Sequence, residues 1–94
     1  MIVKQGNRYS IDGPVTLDNV GDLIAEGTAF EGDRVIVNLA GVTRADSSVL
    51  SLLLEWTRRF TGSGRQIAFA NLSHDLQSLA DLYGVVDLIP VTAD

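Results

Sequence analysis

Three consecutive polar residues, Asp46, Ser47 and Ser48, are the side chains of this sequence best placed for chemistry. They follow a strand-like run, Arg34 to Asn38, and they open directly into a leucine-rich segment that reaches Trp56. A helix that begins at these residues presents unpaired backbone N–H groups there, and its dipole favours negative charge at that end. This arrangement suits a phosphorylatable switch or a docking point better than a reaction centre.

The other candidate chemical groups do not combine into a catalytic or metal site. His74 is the only histidine, and its neighbours Ser73 and Asp75 cannot form a catalytic triad with it, because adjacent residues do not reach that geometry. The glycine segment 62–64 lacks the spacing of a phosphate-binding loop. Cysteine is absent, and no carboxylate and histidine spacing indicates a set of metal ligands. The sequence therefore predicts a non-enzymatic protein with no cofactor and no metal.

Composition narrows the choice of partners. The 94 residues carry a net charge of −5 and a sequence pI near 4.5, which argues against nucleic acid because phosphate binding needs clustered Lys and Arg. The same charge disfavours attraction to an anionic membrane surface. The longest unbroken apolar run has four residues, against about 20 for a membrane span. We therefore expect one domain, residues 1–94, that is cytoplasmic and does not insert into the membrane.

The segments ahead of the Asp46 loop predict a hairpin and a first helix. Arg8 to Ile11 and the pair Pro14-Val15 flank the turn signal Asp12-Gly13, and together they predict a short N-terminal hairpin. Thr16 can cap the first helix, and Gly27 is a plausible end for it. The predicted buried face of this helix holds Leu17, Val20, Leu23 and Ile24.

Two more helices and a strand follow. The central helix is predicted over residues 47 to about 60, with one buried face made of Val49, Leu52, Leu53, Trp56 and Phe60. Gln66 to Ala70 reads as a buried strand, and residues 85–90 as an extended end. Asn71 or Ser73 can cap a last helix that Gly84 ends. Its predicted core side holds Leu72, Leu76, Leu79, Ala80 and Tyr83. This alternation predicts an α/β fold whose helices mainly cover one face of the sheet.

Several side chains of the central helix leave two interpretations open. Leu50 and Leu54 lie off the main stripe, so they either widen the core stripe or contact a partner helix. Arg58 and Arg59 either form a solvated helix end or join Glu55 in a salt-bridged docking edge.

The order of strand, loop, Asp46-Ser47-Ser48 and leucine-rich helix, with Leu50 behind the serines, resembles the STAS domain. This family is named for sulfate transporters and anti-sigma factor antagonists, and the resemblance covers residues 8–90. It implies an α/β, STAS-like fold, with a small mixed β-sheet flanked by about three to four α-helices. The hydroxyl-bearing loop is then expected at the start of the central helix.

Two further stretches, residues 37–46 and 79–90, are similar to one branch of that family. The branch is the free-standing STAS subunit of the Mla-type phospholipid ABC transporter of Gram-negative bacteria. The resemblance implies a non-enzymatic accessory protein that binds and supports the ATPase subunit, which is itself in complex with the permease. Such a protein does not bind the lipid, and it is peripheral to the inner membrane through its partner.

The two branches place their hydroxyl differently. In the anti-sigma factor antagonists the phosphorylated serine falls on Ser48, whereas the notable hydroxyl of the transporter branch falls on Ser47. Val49 stands where the antagonist motif has glycine, and a β-branched residue there would hinder a kinase. The alternatives are an anti-sigma factor antagonist that an anti-sigma factor kinase phosphorylates, and a STAS domain that binds nucleotide or an anion.

The resemblance implies a partner-binding or switch surface around this loop. Its candidate residues are Asp46, Ser47, Ser48, Ser51, Leu54, Glu55 and His74, and the candidate phosphorylation sites are Ser48 and Ser47. Helix capping alone would give Asp and Ser at these positions a stabilising role of ~1 kcal/mol. Capping and partner binding can coexist, since one residue can cap while its neighbours face a partner. His74 is also explained as the polar start of the last helix.

Overall fold

The computed structural model describes residues 1–6 and 8–92 of the chain. Seven strands, three α-helices and two 3-10 turns lie in these two ranges. The strands are β1 (Ile2–Gln5), β2 (Arg8–Ile11), β3 (Gly13–Val15), β4 (Arg34–Asn38), β5 (Val42–Ala45), β6 (Gln66–Ala70) and β7 (Val91–Thr92). The helices are α1 (Val20–Glu26), α2 (Ser48–Gly62) and α3 (His74–Leu82), and the 3-10 turns are Gly27–Ala29 and Val86–Leu88.

The main sheet has five strands in the order β1-β2-β4-β6-β7. β1 is antiparallel to β2, whereas β2, β4, β6 and β7 run parallel. Each parallel strand is added on the same side of the previous one, so right-handed crossovers place α1, α2 and α3 on one face. The strand residues that face these helices are buried: Tyr9, Ile11, Val35, Val37, Ile67 and Phe69. The predicted α/β fold with a small mixed sheet and about three helices is confirmed.

The predicted N-terminal hairpin is wrong in its pairing. The hairpin joins β1 to β2, with Ile2 opposite Ile11, and β3 instead pairs in parallel with β5. The chain leaves the main sheet at Gly13, whose φ of +98° suits glycine because it has no Cβ. The sequence predicts no strand at β5, because Thr43 and Arg44 are both exposed and the segment lacks the alternation of a half-buried strand.

The first helix begins later than predicted. α1 starts at Val20 with Asn19 as its N-cap residue, because the residues before it form a turn. The Thr16 carbonyl accepts from the Val20 N–H at 2.9 Å, and Asn19 Oδ1 accepts from the Thr16 N–H at 2.9 Å. Leu17 lies in this turn and is 77% exposed, so its predicted place in the core is wrong. Gly27 ends α1 as predicted.

Trp56 lies at the centre of the core, on the predicted buried face of α2. Its indole N–H donates to the Ile24 carbonyl at 3.3 Å, and its ring meets Phe30 edge-on with 4.9 Å between centroids. All five residues predicted for this face are buried, and Leu50 is buried with them. The wide core stripe is therefore the correct interpretation for Leu50.

The last helix differs from its prediction at its carboxyl end. Ser73 caps α3, since its Oγ accepts from the Leu76 N–H at 3.1 Å, and Gly84 has the φ of +69° expected of a glycine that follows a helix. Tyr83 is 56% exposed, and its predicted place in the core is wrong. It lies at the C-cap, where the chain turns away from the buried face of the helix.

No helix in residues 1–6 and 8–92 is long and apolar enough to cross a membrane.

Gly27→Ala and Gly21→Ala should change stability in opposite directions. A Cβ at Gly27 would overlap the Trp56 indole, 2.5 Å from Cε2, whereas nothing lies within 4 Å of a Cβ at Gly21. We expect Gly27→Ala to lower the free energy of unfolding by roughly 1–3 kcal/mol. Gly21→Ala should raise it by about 0.5–1 kcal/mol, because alanine restricts the unfolded chain. Urea unfolding of both variants measures this, and equal effects would contradict the close packing of Gly27 on Trp56.

Candidate docking site

The Asp46 loop, residues 46–48, lies between β5 and α2 at the carboxyl end of the main sheet. β5 pairs with β3 so that Ala45 lies opposite Val15, and the Asp46 N–H donates to the Val15 carbonyl at 3.3 Å. α2 then runs back along the sheet to the start of β6, as a crossover helix must. The small β3–β5 sheet therefore fixes the position at which α2 begins.

The Asp46 carboxylate ties this loop to the turn before α1. Its Oδ2 accepts from the Leu17 N–H at 3.0 Å, and its Oδ1 accepts from the Ser48 N–H at 2.9 Å. The Ser48 hydroxyl donates to the same Oδ1. Asp46 therefore satisfies a free N–H at the start of α2, while Ser47, the residue at the N-cap position, makes no side-chain capping bond.

The two serines of the loop are in different states. The Ser48 side chain is half-buried and its hydroxyl is engaged with Asp46. Ser47 is exposed, and within residues 1–6 and 8–92 its hydroxyl has no hydrogen-bond partner. Ser47 is thus free to meet another molecule, whereas Ser48 must first give up its bond to Asp46.

Asp46→Asn should destabilise the protein in a pH-dependent way. Hydrogen bonds from the Ser48 hydroxyl, and then from the Leu17 and Ser48 N–H groups, hold the pKa of Asp46 below its ordinary value of 3.8. A carboxyl with a depressed pKa adds stability above its unfolded pKa and loses it as the pH falls through the folded pKa. The variant should therefore melt below wild type at pH 7, and the gap should narrow under pH 3.8. Thermal unfolding followed by circular dichroism measures this, and a gap that persists in acid would contradict the carboxylate's role.

The outer face of α2 continues from the Asp46 loop. Ser47, Ser51 and Leu54 are three or four residues apart, so they share one side of the helix. Ser51 is exposed, and Leu54 is partly buried against the edge of the core. Leu54 therefore contributes to the core and still presents part of its side chain to the surface.

Glu55 and two arginines form an ion-paired cluster further along α2. The carboxylate accepts from Arg58 Nη2 at 2.6 Å and from Arg59 Nε at 2.7 Å. These bonds, Arg58 first, lower the pKa of Glu55. Both arginines are paired with Glu55 and still exposed to solvent, so the salt bridges are present, while a docking role for this edge stays a prediction. Exposed pairs of this kind add little stability, so their main effect is to fix the side chains.

His74 is the first residue of α3 and is exposed. α2 and α3 each begin where a parallel strand has ended, so His74 and Ser47 lie at the same end of the sheet. No hydrogen bond joins the two side chains among the described residues. Ser73, the neighbour of His74, is engaged in capping α3.

Within residues 1–6 and 8–92, no three His, Asp or Glu side chains lie close enough together to hold a metal ion.

Leu17 and Arg44 flank the Asp46 loop, and the sequence analysis did not place either of them at the candidate site. Leu17 is held by Asp46, and Arg44 lies close enough to contribute to the lowered pKa of that carboxyl. Arg44 also lines a shallow cleft of about 370 Å³, together with Pro14, Thr16, Asp18, Asn19 and Thr43. One sequence signal could have placed Leu17 outside the first helix. Asn19 lies three residues after Thr16 and is also a favoured N-cap residue, and a helix that begins there leaves Leu17 in the turn before it.

Comparisons with known proteins identify the family and the fold of the chain. A family model described as "Mlab, STAS domain" matches residues 3–90, while no curated protein matches the sequence. The solved structures that resemble the chain include the anti-sigma factor antagonist SpoIIAA in its unphosphorylated form, with a TM-score of 0.75, 16% identity, and coverage of 100% of this chain and 88% of that chain. At so low an identity, this likeness shows the fold alone.

Two further solved structures show the same fold. SpoIIAA in its phosphorylated form, a Bacillus cell fate determinant, has a TM-score of 0.70 and 14% identity, over 100% of this chain and 91% of that chain. An anti-sigma-factor antagonist (STAS) domain protein from Planctomyces limnophilus has a TM-score of 0.73 and 17% identity, over 97% of this chain and 86% of that chain.

Proposed function

The chain belongs to the STAS domain family described as Mlab, and from this premise we propose that it is an accessory subunit of a phospholipid ABC transporter. In this role it binds the ATPase subunit and supports its activity, without catalysing a reaction itself. STAS domains are generally non-enzymatic and mediate protein–protein interaction. The agreement of residues 37–46 and 79–90 with the transporter branch supports the choice of this partner.

The single observation that carries the proposal is the contrast between Ser47 and Ser48. The exposed Ser47 hydroxyl lies on a loop that Asp46 holds on two sides, so a partner meets a rigid surface and orders little on binding. A small neutral hydroxyl can be covered at modest cost, and it can donate or accept a hydrogen bond across the interface. We therefore assign Ser47, Ser51, Leu54 and His74 to the ATPase-binding surface.

The mechanism we propose is thermodynamic. A subunit that binds the assembled ATPase better than its separated state shifts the equilibrium toward assembly, by an amount set by that difference in affinity. Attachment to the inner membrane follows from the ATPase and its permease. The net charge of −5 opposes independent attraction to anionic lipid.

Affinity purification from native membranes tests the partner. A tagged chain should recover an ABC transporter ATPase together with its permease, and both should appear at constant ratio to the chain. The purified ATPase should then bind the purified chain directly. Recovery of an anti-sigma factor kinase in place of the ATPase would refute the transporter assignment.

The alternative function is a partner-switching regulator, and the fold shared with SpoIIAA in both phosphorylation states favours it. Its hydroxyl would be Ser48. A phosphate there would replace the bond to Asp46 with repulsion between the carboxylate and a dianion, which opposes this role. Incubation with a cognate serine kinase, followed by intact mass measurement, separates the two functions. One phosphate that Ser48→Ala abolishes would support the regulator.

A further inference from the structure

A groove between α3 and β7 forms a second surface, made of none of the residues assigned to ATPase binding. We propose that this groove binds an extended peptide segment of a partner protein, with apolar side chains between Lys or Arg flanks. The segment lies alongside β7 as an added strand, and its apolar side chains enter the groove.

The groove is lined mainly by apolar side chains and is open at its mouth. It encloses about 320 Å³ and is lined by Asn71, Leu72, Gln77, Ala80, Val86, Ile89, Val91 and Thr92. Ala80 and Ile89 form its floor and are buried, while Val86 and Val91 are 44% and 58% exposed. Gln77 is held in place, since its Nε2 donates to the Leu72 carbonyl at 3.1 Å. Two exposed valines beside a preformed apolar cavity give a peptide side chain somewhere to be buried.

β7 supplies main-chain groups for the same ligand. In the part of the chain that the structure describes, it is an edge strand of the main sheet, and Val91 lies opposite Phe69. The Phe69 N–H donates to the Pro90 carbonyl at 2.9 Å, so in a parallel ladder the N–H and C=O of Val91 point away from β6. An extended segment can pair with these outward groups and place alternate side chains against the helix, which is the mode of β-strand addition.

Charge selects the flanks of the segment and argues against a second copy of this chain. Residues 66–92 contain Asp75, Asp81 and Asp87 and no Lys or Arg, because all seven basic residues lie between Lys4 and Arg65. Asp81 and Asp87 directly follow the lining residues Ala80 and Val86, so these two carboxylates lie close to the groove compared with the screening length of about 8 Å at physiological salt. A second copy would bring the same acidic surface, and a helical ligand would leave the outward groups of Val91 unpaired.

Selection from a displayed library of short random peptides tests the proposal on the full chain. Enriched peptides should alternate apolar and polar residues between basic flanks, and a fluorescent peptide of that consensus should bind more weakly as salt rises. Val86→Ser and Val91→Ser should each weaken it about tenfold. The matched control is Leu88→Ser, because Leu88 is 60% exposed on the same turn but does not line the groove; its effect should stay within about twofold.

Three results would overturn the proposal. The first is that no peptide is enriched on the wild-type chain relative to a Val86→Ser/Val91→Ser double variant. The second is enrichment of acidic peptides. The third is that Leu88→Ser weakens peptide binding as much as the two valine variants do. Circular dichroism melts establish that the variants are folded. Ser47→Asp should leave peptide binding unchanged, so failure of the groove and failure of the ATPase surface give different results.

Discussion

Ser47→Asp should weaken ATPase binding by roughly 30- to 1,000-fold, about 2–4 kcal/mol, and leave the fold intact. The new carboxylate would be covered by the partner with no cation supplied to pair with it. It would also lie beside Asp46, which already accepts three hydrogen bonds. The fold should survive because a negative charge at the start of a helix is favourable.

Titration of the purified ATPase with labelled chain measures this loss. The matched control is Thr28→Asp, which puts the same charge on an exposed residue of the 3-10 turn. Thr28 precedes β4 and so lies at the opposite end of the sheet from Ser47. Thr28→Asp should bind like wild type. If the two variants lose affinity equally, the effect is one of net charge, and the proposed surface is wrong.

Trp56→Ala should lower the free energy of unfolding by about 3–5 kcal/mol, the largest stability effect we expect in this protein. The indole is 1% exposed, packs edge-on against Phe30 and hydrogen-bonds Ile24. Its removal leaves a cavity among side chains that rigid strands and helices hold apart. Since domains of this kind are stable by roughly 5–15 kcal/mol, the variant should lose a large fraction of its stability and melt well below wild type.

Tyr83→Ala is the control for Trp56→Ala. It also removes an aromatic side chain from a helix region, but Tyr83 is 56% exposed and the change should stay within about 0.5 kcal/mol. Urea unfolding of both variants gives the comparison. A loss at Tyr83 as large as that at Trp56 would mean that the end of α3 packs inward, as the sequence suggests.

The long central helix could be predicted from sequence because its signal is redundant. Val49, Leu52, Leu53, Trp56 and Phe60 repeat at the helical period over three turns, and only one orientation buries all of them. The buried strands β4 and β6 are marked by their Val, Ile and Phe content in the same way. These elements can therefore be predicted from their own residues, without knowledge of the segments that pack against them.

The elements that were predicted wrongly depend on distant partners. β3 and β5 have three and four residues, and each becomes a strand only because the other lies beside it. Leu17 and Tyr83 both fit an apolar helical face by spacing. Each lies just outside the helix proper, where a turn or a cap redirects the side chain to solvent.

The sequence predicts where the candidate site lies, but it does not predict the hydrogen bonds that distinguish its two serines. Two adjacent serines at a helix start look equivalent in sequence, and both are predicted as capping or switch residues. The structure distinguishes them because Asp46 takes the hydroxyl of Ser48 and leaves Ser47 exposed. The orientation of the Asp46 carboxylate also depends on Leu17, whose N–H donates to it. These two residues are 29 positions apart in the sequence, so local patterns do not reveal the contact.

Alkylation of a cysteine at position 47 tests the central claim most directly. The chain has no cysteine, so Ser47→Cys provides a single thiol of nearly the same size as the serine, and Thr28→Cys provides the control. We predict that adding the ATPase slows maleimide labelling at position 47 in proportion to the bound fraction, and leaves position 28 unchanged. Full-rate labelling at position 47 in a saturated complex would show that the partner binds elsewhere.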